Sequence, residues 1–306
     1  MSLDAELTFD IIYARASKPK AFAVGPGGAW AYYYGASGTK SVAEFALEDC
    51  NKQLAANHDG ACTLFASDDN ILLPKATVGL RLNEAPPPWV TNLPISTRFS
   101  PPSAPGSPKA VVIFFSGCGA CGDVKDAGAY ADYFNAKGAI FIAANTPQAF
   151  RAAIPGPNRK SITEREFTAA FKSIVLQAEA TVRDVHKAYP MLPVYLWGDG
   201  LGGYLAQLTG AQSDGLIITG SVCNAYNRTP PGVEVRYVYG DADPRLALLG
   251  AMPDAVSANR YCADAAPTYS SQIVMIAGLA TTPLPSRPEF DSAVTELMSL
   301  TAHSTP

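Results

Sequence analysis

Histidine is scarce in this chain of 306 residues: it occurs three times, at His58, His186 and His303. That shortage restricts general-base chemistry, because few other side chains titrate near neutral pH. Charged residues make up 16% of the chain, no basic run occurs, and the formal net charge is -4. Nucleic acid is therefore not an expected partner. No stretch of about 18 uncharged apolar residues is present, so no transmembrane segment is expected. The start, Met1-Ser2-Leu3-Asp4, has no basic segment leading into an apolar one, so no signal peptide is read there, although a removed one is compatible with it. No second Cys/His pair with ligand spacing accompanies Cys118-x-x-Cys121, so neither a metal nor another cofactor is expected.

What is present is apolar. Residues of that kind make up 48% of the chain, enough for a sizeable core in one large domain or two. Proline is concentrated. Between Glu84 and Lys109 stand Pro86, Pro87, Pro88, Pro94, Pro101, Pro102, Pro105 and Pro108. Proline at that density removes backbone donors and blocks helix, so residues 84–108 are read as an extended linker. It separates residues 5–83 from residues 109–302.

In the first region, Ala21–Val24 and Ala29–Tyr34 read as strands around the turn Gly25-Pro26-Gly27-Gly28. Ser41 and Glu44 form a capping-box pattern for a helix to about Leu54, with Val42, Phe45, Ala46 and Cys50 on one face. Cys62–Ala66 and Ile71–Leu73 read as strands around Ser67-Asp68-Asp69-Asn70. The aromatics Trp30, Tyr32, Tyr33 and Tyr34 are read as packing residues rather than a ligand platform. This makes a small α+β domain.

The six cysteines are Cys50, Cys62, Cys118, Cys121, Cys223 and Cys262. Six allow 15 connectivities, and the sequence alone does not choose among them. Cys50 and Cys62 bracket a short loop, so a disulfide there would tie the helix end to the next strand. Cys118 and Cys121 form a Cys-x-x-Cys, and Cys223 with Cys262 are candidates to pair across the top of a sheet. Reduced, buried thiols are the alternative.

The second region alternates strand and helix. Ala110–Phe115, Ala139–Ala143 and Val194–Trp197 are continuous apolar runs of strand length, and Leu216–Thr219, Val233–Tyr239 and Gln272–Ala277 complete a set of six expected strands. A long helix is expected over about Glu164–Tyr189, with Phe167, Phe171, Ile174, Ala178, Val182 and Val185 inward. A last helix opens on a Ser286-x-x-Glu289 cap and buries Phe290, Val294 and Leu297. The predicted fold class is α/β, a mostly parallel sheet with helices on both faces, preceded by the small α+β domain.

The segment Val194 to Gly203, VYLWGDGLGG, is a strand that ends in a tight glycine turn and opens a helix. A phosphate-binding loop would also be rich in glycine, but no Lys-Ser/Thr pair follows and no dinucleotide spacing is convincing. The order of strands and helices, together with this frame, resembles the α/β-hydrolase superfamily of esterases and lipases over residues 109–302. In that family's Gly-x-Ser-x-Gly elbow the middle serine is the nucleophile. Here the frame is Gly198-Asp199-Gly200-Leu201-Gly202, so the resemblance puts glycine in the nucleophile slot. Asp199 precedes the slot and is not assigned as an aspartate nucleophile. Gly240-Asp241-Ala242-Asp243 matches the family's acid strand end, which would make Asp243 a vestigial acid. The family's histidine follows the last strand, where Ile276 to Pro283 contains none. The loop Phe115 to Gly122 lies where the family's oxyanion loop sits. The resemblance implies that Gly117 or Cys118, with Leu201, can supply an anion-binding pair of backbone N–H groups.

The first region also resembles a small uncharacterised domain family of secreted bacterial proteins, through Trp30, Tyr34-Gly35, Cys50-Asn51 and Cys62. That likeness implies a periplasmic or secreted location. The reading that follows is a non-catalytic hydrolase-like protein that binds an unidentified small molecule or protein. Two alternatives stay open: an active carboxylic-ester hydrolase with a displaced nucleophile at Ser116, Ser221 or Cys118, and a thiol-disulfide protein using Cys118 and Cys121.

Overall fold

A computed structural model describes residues 5, 8–9, 13–16, 18–35, 39–54, 60–73, 96–102, 107–117, 127–145, 164–210, 213–221, 229–230, 232–243, 270–280, 283 and 285–302. The chain divides into two compact units: residues 1–91 with 162–172, and residues 92–161 with 173–306.

The first unit holds a four-stranded antiparallel sheet built from β1 (Lys20–Val24), β2 (Trp30–Tyr34), β3 (Thr63–Ser67) and β4 (Asn70–Ile71), in the order β2-β1-β3-β4. Helix α1 (Val42–Gln53) covers one face. Its capping box is complete: Glu44 N donates to Ser41 Oγ, and Ser41 N donates to the Glu44 carboxylate. Val42, Ala46 and Cys50 are its buried positions, packed on Ala21, Ala23 and Ala31. Phe45, expected on the same face, is half-buried instead and stacks on Tyr33 with ring centroids 5.0 Å apart. The other face packs Phe22, Phe65 and Val24 against Ala5, Phe9 and Tyr13. The expected strand 62–66 is displaced by one residue to Thr63–Ser67, and the expected 71–73 starts one residue earlier and is shortened to Asn70–Ile71. The left-handed Asp68 (φ 50°) sets where the hairpin turns.

Cys50 and Cys62 form a disulfide with a Cα–Cα distance of 6.0 Å. It joins the last turns of α1 to the residue before β3, and Cys62 N donates to Asn51 Oδ1 beside it.

The second unit is a seven-stranded sheet of β5 (Ser96–Ser100), β6 (Ala110–Phe115), β7 (Ala139–Asn145), β8 (Val194–Asp199), β9 (Gly215–Thr219), β10 (Glu234–Gly240) and β11 (Ser270–Ile276). The order is β11-β10-β9-β8-β6-β7-β5. The last six described strands are mutually parallel and match the six strands expected from the sequence. β5 lies inside the proline-rich segment and pairs antiparallel with β7 at the sheet edge. Prolines flank it at positions 94 and 101, and an edge strand tolerates that because one side of its ladder needs no donors.

Helices cover both faces, and the alternation of side chains along the strands decides which face each serves. Val112, Phe114, Tyr195, Trp197, Ile217 and Val238 pack against α2 (Gly128–Ala136) and α5 (Pro288–Ala302). On the opposite face Tyr237 donates to Gln207 Oε1 of α4 (Leu201–Thr209) at 2.9 Å. The long helix α3 (Glu164–Ala188) buries Phe171, Ile174, Ala178, Val182 and Val185, as the spacing predicts. α5 starts later than its Ser286 pattern suggests. Pro288 takes the first helical position, where its fixed φ and missing N–H suit it, and Asp291 N donates to Arg287 O. The α2–α5 contact is pinned by Asp291, which accepts from Tyr133 at 2.7 Å and pairs with Lys137 at 2.8 Å.

Candidate functional site

β8 is buried along its whole length and ends at the centre of the sheet's C-terminal edge. Open parallel sheets place their ligands outside that edge. Gly200 links β8 to α4 with φ 54° and ψ −119°. An L-residue enters that region only with strain, so glycine is the side chain this turn accepts at least cost. Gly200 N donates to Thr219 O at 2.8 Å, while Gly200 O accepts from the N–H groups of Gly203 and Tyr204. The turn is thus held from β9 on one side and from the first turn of α4 on the other.

Three further glycines let the backbones close up. A Cβ on Gly198 would overlap the Gly202 carbonyl, and one on Gly202 would overlap the Phe115 carbonyl. A Cβ on Gly203 would stand 2.6 Å from Ser221 Cβ. The ends of β6, β8 and β9 therefore converge on the N-terminus of α4.

Asp199 is fully buried beneath the turn. Its carboxylate accepts from Thr219 Oγ1 at 2.7 Å, and the same hydroxyl accepts from Trp197 Nε1 at 3.1 Å. Desolvating a carboxylate is costly unless donors meet it, and Thr219 supplies one. Thr219 grips the turn through both its carbonyl and its hydroxyl. Nothing in the sequence marks this role, since a threonine closing an apolar strand is common.

Asp243 lies beyond β10, buried, with its N–H donating to Gly240 O at 3.0 Å. β9 separates β10 from β8, so their ends stand about 10 Å apart at ordinary strand spacing. The loop after β11 is stapled to the same place. Asp241 accepts from Gly278 N at 2.6 Å, Ala242 N donates to Leu279 O, and a Cβ on Gly240 would overlap the Leu279 carbonyl. Ala277, Gly278, Leu279 and Ala280 occupy the position after the last strand, and none titrates.

His186 is the one histidine among the described residues. It sits near the end of α3, and residues 189–193 lead from that end into the start of β8. Six residues of β8 rise about 20 Å, which puts His186 near the opposite edge of the sheet from Gly200. His58, His303, Cys118, Cys121, Cys223 and Cys262 lie outside the described residues.

Ser116 and Gly117 follow β6 and are buried. Ser221 follows β9, half-buried, with its carbonyl accepting from Tyr239 Oη. The two serines flank Gly200 on neighbouring strand ends. Leu201 is the first residue of α4, where backbone N–H groups have no partner within the helix. Among the described residues no group of three or more His, Cys, Asp or Glu could hold a metal ion, and no helix is long and apolar enough to cross a membrane.

No protein-family profile matches the chain, and no curated protein matches it. Solved structures do. An α/β serine hydrolase from Xanthomonas campestris is 13% identical, with 68% of this chain and 86% of that chain covered and a TM-score of 0.42. A dienelactone hydrolase from Anabaena variabilis is 15% identical, with 68% and 88% covered and a TM-score of 0.43. A lipase in its open form is 12% identical, with 68% and 94% covered and a TM-score of 0.47. At that distance the chemistry has to be read from this chain's own residues.

Proposed function

We propose that this protein is an α/β-hydrolase-type chain whose catalytic machinery is vacant and that it works as a binding or interaction module. The observation that supports this most directly is Gly200. It stands at the strand-to-helix turn where an attacking hydroxyl would be held, and it has no side chain. The loop after β11 offers no base to activate one. In a serine protease with the same kind of triad, loss of the nucleophile or the base lowers the rate on the order of 10⁶-fold. Asp243 is then a vestigial acid, and the N–H of Gly117 or Cys118 is proposed to pair with that of Leu201 as a remaining anion-binding element, Cys118 lying outside the described residues. The Cys50–Cys62 disulfide supports a secreted or periplasmic setting, where such bonds persist.

A second reading keeps the enzyme active through Ser116 or Ser221, because both flank the turn. One experiment separates the two. The purified protein is offered a panel of short and medium acyl esters and treated with a fluorophosphonate, and its intact mass is read. No turnover and no adduct is the expected result. Turnover with a single adduct overturns the vacancy, and peptide mapping then names the nucleophile.

A further inference from the structure

We draw no further inference here: the strongest candidate, the row of near-parallel rings Trp30, Tyr32 and Tyr34 along the edge strand β2 of the small sheet, is an apolar face for which nothing in the structure shows what covers it.

Discussion

Thr219 donates its hydroxyl to the carboxylate of Asp199 across 2.7 Å, and both residues are wholly buried. The same oxygen accepts from Trp197, so one hydroxyl serves a buried carboxyl group and a buried indole at once. Thr219→Val keeps the shape and removes both bonds. We expect a loss of about 2–4 kcal/mol in urea unfolding, since each buried group left short of a partner is costly. Thr219→Ser keeps the hydroxyl and should lose only about 1 kcal/mol for the missing methyl. Equal losses in the two variants would show that the hydroxyl holds nothing.

Gly200→Ser puts a hydroxyl into the turn and an L-residue into a backbone region that resists it. The variant should be about 1–3 kcal/mol less stable than the parent. It should gain no ester turnover, because the segment directly after β11, Ala277 to Pro283, contains no histidine. A Gly200→Ser protein that hydrolyses esters faster than the parent would mean that a base reaches the slot from elsewhere in the chain.

Gly198→Ala and Gly202→Ala should prevent soluble expression or cost more than about 3 kcal/mol. The added methyl meets backbone, which cannot rotate away. Gly232→Ala is the control. Its added Cβ meets nothing within 4 Å, and only the positive φ of 85° opposes it. That cost should be about 1 kcal/mol. Thermal unfolding of the three variants checks the ranking.

Removing the disulfide with Cys50→Ala and Cys62→Ala frees a loop whose ends are 12 residues apart in sequence. The expected loss is about 3 kcal/mol, felt in the small unit. Limited proteolysis should cut residues 1–91 faster and leave the large sheet protected. Uniform protection of both units would show that the bond contributes little.

The α2–α5 pin gives a pH signature. Hydrogen bonds from Lys137 first, and then Tyr133, hold the Asp291 carboxyl below the usual carboxylate range. A carboxyl whose folded pKa is depressed contributes stability that is complete above its unfolded pKa, about 4, and is lost as pH falls through the folded value. Asp291→Asn should therefore show a flatter stability profile below about pH 4 than the parent. Denaturant midpoints taken between pH 6 and pH 3 would read the difference, and parallel profiles would rule the pin out as a source of acid sensitivity.

Ala110–Phe115, Ala139–Ala143 and Val194–Trp197 were legible because each is an unbroken apolar run, the signature of a strand buried on both faces. Ala110–Phe115 shows it best, with all six residues buried. The turn at Gly200 was legible because glycines crowd wherever backbones must touch. β5 was not, because prolines on both sides hide five residues that pair only along one edge. The start of α5 was misplaced because Ser286 and Glu289 imitate a cap that Pro288 pre-empts. Thr219 was illegible for a different reason: its role depends on the register of β9 against β8, which puts it level with Asp199. No local pattern carries that register.

Gly200 also limits how this sequence can change. A serine placed there lowers folding stability at once and, on the proposed reading, finds no base. A histidine placed after β11 gains nothing without a hydroxyl to activate. Each single step is neutral or harmful by itself, and selection on turnover has nothing to act on until both are present. The relaxed turn is a ratchet. On the proposed reading of a vacant slot, no single substitution at this turn opens a route to ester hydrolysis.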